Sequence, residues 1–215
     1  MHLRLHGFWQ AAAPYRVRIG LQLKGLAYDY VPVNLAAGQH GEPEYRAVNP
    51  QGLTPALQAD GQVLTQSLAI LEWLDEAHPD PAILPKAPLD RAIVRAMAGV
   101  IACDIHPLNN RRVVRKLAEM GVDQTGVLSW AREWVRDGFD ALEPMIADHG
   151  GGFAFGDTPT LADCCLVPQA WAAAGRYDLD LTAWPSLAAA VGGAMQHPAF
   201  QAAHPDRQPD AKIHA

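Results

Sequence analysis

Four prolines fall within ten residues, at Pro79, Pro81, Pro85 and Pro88, and they divide a chain of 215 residues into two stretches with different hydrophobic rhythms. Each proline fixes φ and removes a backbone donor, so such a run stiffens and extends the chain and belongs to neither a helix interior nor a central strand. Residues 81–89 are therefore read as a linker at a domain boundary.

Before the linker, Leu3 and Leu5 alternate with polar neighbours, the period of a half-buried strand. After a turn-like Ala11, Ala12, Ala13 and Pro14, apolar residues recur at helical spacing from Tyr15, and this helix starts at a proline and ends at Gly25. Residues 28–34 alternate again, and a strand, helix, strand run of this length closes as a right-handed parallel unit. Pro55 opens a short strand over residues 56–59, Asp60-Gly61 supplies a two-residue hairpin turn, and residues 63–65 return antiparallel. Ser67 is read as the cap of a helix to Glu76 that buries Leu68, Leu71 and Leu74. That order predicts a thioredoxin-like domain with a mixed four-stranded sheet over residues 1–80. Beyond the linker, residues 90–120, 124–149, 160–174 and 186–196 carry helical periodicity, so residues 90–215 are predicted to be an all-helical domain. The polar tail from His204 to Ala215 reads as frayed.

Hydrophobic residues make up 49% of the chain and charged ones 19%, with a formal charge of −6. That balance lacks the clustered cations a nucleic acid requires and favours a small-molecule partner. No basic start leads into an apolar run and no stretch is apolar enough to span a bilayer, so a cytoplasmic protein without membrane association is expected. Cys103 stands alone and Cys164 and Cys165 are adjacent, which suits neither a disulfide framework nor a metal site and reads as reduced, buried thiols.

Three features bear on chemistry, and each has two readings. Thr54-Pro55 is either a trans proline starting a strand or a cis peptide whose neighbouring backbone groups pair with an extended peptide. Gln66-Ser67 is either a plain helix cap or a carboxylate site at a helix N-terminus, where unpaired N–H groups and the dipole favour an anion. The run Cys103 to Arg112 is either a solvated charge cluster or a polar site gathered where Pro107 opens a helix, with His106 and Asn110 at i, i+4. Trp130 and Trp134 read as packing residues, and Thr160 with Asp163 as a capping box.

Taken together, Tyr15-Arg16-Val17-Arg18-Ile19, Asn49-Pro50-Gln51, Thr54-Pro55-Ala56-Leu57, Gln66-Ser67-Leu68, the Cys103 to Arg112 segment and Phe155-Gly156-Asp157-Thr158-Pro159-Thr160-Leu161-Ala162-Asp163 resemble the zeta-class glutathione transferases. These are the maleylacetoacetate and maleylpyruvate isomerases, and the resemblance covers essentially the whole chain. It implies an enzyme with glutathione as cofactor, working as a homodimer on a small unsaturated diacid by cis to trans isomerisation. It also implies that Pro55 is the cis-proline, that Thr54 binds the cysteinyl backbone, and that Gln66 and Ser67 hold the γ-glutamyl end. His40, Gln51, His106 and Asn110 would complete the glutathione pocket, and Gln10, Arg111 and Arg176 would face the substrate. The chain departs from the family at the turn before the first helix. Ala11, Ala12 and Ala13 stand where the family carries its serine and cysteine, and Gln10 stands in place of an arginine. Tyr15 is then the remaining nearby hydroxyl. Two further readings follow from this departure: a non-catalytic glutathione-binding carrier, or a thiol-dependent lyase or dehalogenase.

Overall fold

A computed structural model of the protein describes residues 1–211 and divides into two units. One comprises Met1–Ile83 and residues 197–211; the other is Leu84–Gln196.

The first unit is built on a four-stranded sheet of β1 (Leu3–Gly7), β2 (Asp29–Pro32), β3 (Ala56–Ala59) and β4 (Gln62–Thr65), ordered β2-β1-β3-β4. β2 runs parallel to β1, while β3 is antiparallel to both β1 and β4. The parallel pair is joined by α1 (Ala12–Leu23), whose crossover is required because no tight turn can connect parallel strands. The antiparallel pair is joined by Asp60 and Gly61, both at positive φ (46° and 87°), the conformation of the two-residue turn that matches strand twist. Leu3 and Leu5 on β1, Leu57 on β3, and Ile70, Leu71 and Leu74 on α3 (Ser67–Ala77) are buried with Val17, Ile19 and Leu21 of α1. A short helix α2 (Pro43–Val48) precedes β3.

Two details differ from the sequence reading. α1 begins at Ala12, two residues before the proline, with Ala11 as an N-cap that offers no side-chain bond. α3 is capped by Gln66, and Ser67 is its first helical residue. Serine is the better cap by propensity, but the hairpin leaves Gln66 at φ 68°, outside the helix, and so displaces the cap by one residue.

A buried ion pair ties this unit to the proline-rich segment. Lys24 Nζ lies 2.7 Å from Asp75 Oδ1, with 0% and 9% of the side chains exposed. The same oxygen accepts the Ile83 N–H at 2.7 Å, and the ammonium also donates to the Pro81 carbonyl.

The second unit contains no strand among its described residues. It consists of α4 (Pro88–Gly99), α5 (Arg111–Glu119), α6 (Gln124–His149), α7 (Leu161–Tyr177) and α8 (Pro185–Gln196). The single periodic stretch read at residues 90–120 is in fact broken: a π-helical segment, Val100–Ile105, follows α4, and the chain turns before α5. The widened turn is visible in the His106 N–H, which bonds the Ile101 carbonyl five residues back at 2.9 Å. Pro107 cannot continue the ladder, so α5 restarts with Asn110 as its cap, accepting the Arg112 N–H at 3.1 Å. The capping box at α7 is formed as expected, with Thr160 and Asp163 bonding each other's ends. Burial pushes the Asp163 carboxyl up to about 6 despite the donors from Ala154 and Thr160. Cys164 and Cys165 are buried, but Cys103, within the π-helical segment, is exposed.

Residues 197–211 group with the sheet unit instead of with the helices. α9 (Pro198–Ala203) packs on α1, and the Arg18 Nε donates to the Ala203 carbonyl at 3.0 Å. The tail read as frayed is packed as far as the description extends, with Gln208 and Asp210 buried; residues 212–215 lie outside the described residues.

Replacing Asp75 by alanine would strand the buried Lys24 ammonium without its counter-charge. We expect Asp75→Ala to cost about 3–5 kcal/mol in urea unfolding, and the paired Lys24→Met, Asp75→Leu variant to recover most of it.

Candidate functional site

The register of the sheet determines what lies at one of its ends. His6 pairs with Ala56, and Ala56 pairs with Thr65. The chain leaving β1 (residues 8–11, then α1), the Thr54-Pro55 entry to β3, and the Gln66-Ser67 exit from β4 into α3 therefore converge at the same sheet edge. Such edges, beside the carboxyl ends of strands and the N-termini of helices, are where α/β sheets bind ligands.

The Thr54-Pro55 peptide is cis. The loop that delivers it is held by Asn49, which is 3% exposed. Its amide donates to the Leu53 carbonyl at 2.6 Å, its side-chain oxygen accepts the Gln51 N–H at 3.1 Å, and the Tyr45 hydroxyl also reaches the Leu53 carbonyl at 2.7 Å. Gly52 completes this loop at φ 65°, and a Cβ there would stand 2.9 Å from the His40 carbonyl. Only glycine both adopts this φ readily and lets the His40 turn approach so closely.

Across from this loop, Gln66 is an exposed residue in left-handed backbone, and its side-chain amide donates to Gln51 Oε1 at 2.9 Å. Ser67 is buried, and its hydroxyl accepts a bond from Arg16 Nη1 at 3.3 Å. The N-terminus of an 11-residue helix thus stands in front of a buried guanidinium, two sources of positive potential at one place. The structure brings together Gln51, Thr54, Pro55, Gln66 and Ser67, with His40 adjoining through Gly52.

At the start of α1, the Ala11 N–H bonds the Phe8 carbonyl at 3.0 Å, and Tyr15 returns to the Ala11 carbonyl at 3.1 Å. The backbone N–H groups of Ala12 and Ala13 are those a helix leaves unpaired in its first turn, and Pro14 has none. Tyr15 does not present a hydroxyl to this edge. It is 1% exposed, Arg18 lies 5.0 Å over its ring, and burial raises its pKa well above the usual tyrosine value. Gln10 is half-buried in the turn before α1.

In the second unit, His106, Asn110 and Arg111 cluster at the turn between the π-helical segment and α5, but not on one helical face, because the helix is interrupted between them. The Asn110 side-chain oxygen is committed to capping α5. Trp130 fixes the same turn by donating its indole N–H to the Leu108 carbonyl at 2.8 Å. Arg111 is exposed, and Arg176 is exposed in the last turn of α7. Among the described residues no group of three or more His, Cys, Asp or Glu could hold a metal ion, and no helix is long and apolar enough to cross a membrane.

Sequence reasoning passed over two contributors. Asn49 and Arg16 stand in the sequence only within the runs Asn49-Pro50-Gln51 and Tyr15-Arg16-Val17-Arg18-Ile19 that carry the family resemblance, with no role assigned to either. The available signal was two arginines, Arg16 and Arg18, two residues apart in an otherwise apolar helix, a pattern that forces at least one guanidinium inside.

Comparison with known proteins matches this architecture. Residues 13–77 match the glutathione S-transferase N-terminal domain model and residues 112–191 the C-terminal domain model. A maleylpyruvate isomerase from Ralstonia sp. is 44% identical over 212 residues, covering 97% of this chain and 100% of that protein. A holo structure of maleylpyruvate isomerase, a bacterial zeta-class glutathione S-transferase, superposes with a TM-score of 0.94 at 44% identity, covering 96% and 99% of the two chains. A maleylacetoacetate isomerase from Anaeromyxobacter dehalogenans, solved with glutathione in its active site, gives 0.89 at 45% identity, covering 98% of each. The chain belongs to the glutathione S-transferase family, in the zeta class that contains the maleylpyruvate and maleylacetoacetate isomerases.

Because Asn49 organises the loop through two bonds and is buried, Asn49→Ala is expected to lower stability by about 1–3 kcal/mol in chemical denaturation.

Proposed function

We propose that the chain is a glutathione-dependent isomerase that interconverts the cis and trans forms of a small unsaturated diacid of the maleylpyruvate or maleylacetoacetate type. The observation that supports this most directly is Gln66, a non-glycine residue at φ 68° on the lip of the site. Left-handed backbone at such a residue costs about 1–3 kcal/mol and persists mainly where a ligand clamp requires it. Here it places the Gln66 amide against Gln51 and leaves the α3 N-terminus open beside Ser67 and Arg16.

The donor set fits glutathione. The ligand is a peptide with an α-carboxylate and extended backbone. The α3 N-terminus with Arg16 behind Ser67 suits the carboxylate, while Thr54 beside Pro55 offers backbone groups to an extended peptide. In this reading His40, Gln51, Thr54, Pro55, Gln66 and Ser67 hold glutathione, and the roles that the family resemblance gives to His106 and Asn110 toward glutathione and to Gln10, Arg111 and Arg176 toward the diacid are part of the proposal.

Glutathione, when bound, supplies the nucleophilic thiolate for reversible addition to the double bond. A free thiol of pKa about 8.5 is only a few per cent ionised at neutral pH, so the chain must favour the charged form. No side-chain hydroxyl or thiol occupies residues 10–14. We assign that task to the Ala12 and Ala13 N–H groups and the positive end of α1, in place of a serine or cysteine side chain. The arginines neutralise the carboxylates of the diacid and orient it. The active form in this proposal is a homodimer, which light scattering would show as twice the chain mass.

The alanine triplet also favours a second reading, a glutathione-binding carrier without thiol activation. Ultraviolet titration of the thiolate of bound glutathione, beside an assay with maleylpyruvate, separates the two. The isomerase is expected to turn over only with glutathione present and to lower the bound thiol's pKa below the free value. Ala11→Ser, which puts a hydroxyl at the N-cap of α1, is expected to lower it by a further one to two units, roughly the worth of a charge-assisted hydrogen bond. Binding with an unshifted pKa and no turnover would overturn the isomerase and leave the carrier.

A further inference from the structure

Trp9 lies in the turn between β1 and α1, two residues before the N-cap of the helix, and both polar groups of its backbone are held by parts of the chain remote in sequence. Its N–H donates to Asp210 Oδ2 at 3.0 Å. Its carbonyl accepts from Arg18 Nη2 at 3.1 Å. The same Asp210 oxygen accepts the Tyr30 hydroxyl at 3.3 Å from β2, and the Arg18 Nε is anchored on the Ala203 carbonyl at 3.0 Å.

The segment that carries Asp210 is itself preformed. Gln208 folds back to donate to the Ala202 and His204 carbonyls at 3.3 and 2.8 Å, and the His204 ring meets Tyr15 edge-on at 6.3 Å. Asp210 is 2% exposed and Arg18 0%, and Asp210 Oδ1 has no hydrogen-bond partner among the described residues. An apolar side chain would dock a C-terminal segment at lower desolvation cost than a carboxylate with one oxygen unsatisfied. What the carboxylate adds is a directional bond to the Trp9 amide. A charge-assisted bond of this kind is about twice as strong as a neutral one and fixes the peptide's orientation.

We propose that Asp210 is a positioning residue for the β1–α1 turn: the C-terminal segment closes on the first unit and, through Asp210 and Arg18, fixes the Trp9 peptide and with it the orientation of the Ala12 and Ala13 N–H groups. The proposal rests on the reading of that turn as the seat of the bound thiol. The residue acts on the reaction through the backbone and touches neither glutathione nor diacid.

The test pairs two readouts on the full chain. In the protein without glutathione, hydrogen exchange of peptides covering residues 9–13 is expected to quicken roughly tenfold or more in Asp210→Ala, the opening that loss of one charge-assisted bond allows. With glutathione and maleylpyruvate, the same variant is expected to lose roughly tenfold in kcat through misorientation of the turn, with little change in KM for the diacid and a raised pKa of the bound thiol. Asp210→Asn keeps an oxygen acceptor for the Trp9 N–H without its charge and is expected to recover only part of both effects, leaving roughly threefold in exchange and in kcat; if the alanine variant does not fold, wild-type exchange and kcat in Asp210→Asn would overturn the proposal. Unchanged exchange in residues 9–13 would overturn the clamp. Faster exchange with unchanged kcat and thiol pKa would reduce Asp210 to a structural anchor and overturn the positioning role. If wild-type protein neither binds glutathione nor isomerises maleylpyruvate, the functional reading fails and the positioning role with it, whatever exchange shows.

Discussion

The pairing of β3 between β1 and β4 is the constraint on which the rest of the first unit depends. His6, Ala56 and Thr65 stand in one row across the sheet. A slip of one residue would turn Leu57 out of the core, because successive side chains point to opposite faces. The same slip would carry Pro55 and Gln66 away from the end of β1. Core burial therefore enforces the alignment that gathers the three loops at one edge, and no separate force is needed to bring Thr54, Pro55, Gln66 and Ser67 together.

α1 is the second organising element, and it works in an unusual way for a buried helix. Val17, Ile19 and Leu21 supply apolar contact, while Arg16 and Arg18 carry two guanidinium groups into the interior. Burying a charge is costly unless hydrogen bonds offset the lost hydration. Arg16 bonds Ser67 at the head of α3, and Arg18 bonds the Trp9 and Ala203 carbonyls. One helix thereby links the head of α3 to the C-terminal segment through polar bonds, whose directionality fixes geometry that apolar contact alone leaves loose.

Much of this was legible in the residues. The alternation at Leu3 and Leu5, the Asp60-Gly61 turn and the Thr160 and Asp163 pair each correspond to a local rule, and the structure forms each of them. The candidate site was legible as a set of motifs, chiefly through resemblance, but its organisation was not. Propensity favours Ser67 as the cap of α3, and only the exit angle of β4 moves that role to Gln66. Apolar spacing from 90 to 120 reads as one helix, since a π turn leaves the hydrophobic content unchanged while shifting its phase. The polar tail resembles a frayed end, because the partners of Gln208 and Asp210 are fixed by the folded chain, and composition carries no trace of them.

That phase shift has a consequence of its own. A π turn is equivalent to one extra residue held within a helix, and each residue of an α-helix advances the direction of its side chain by about 100°. Were Val100–Ile105 to relax into regular α-helix, the residues after it would swing by roughly that angle about the axis of α4. His106 would point elsewhere, and the turn that starts α5 at Asn110 would form in a different direction. The aim of this whole corner of the helical unit thus depends on the π turn absorbing a single surplus residue, so deleting one residue of Val100–Ile105 would let the segment close as regular α-helix and leave the corner facing as it does now.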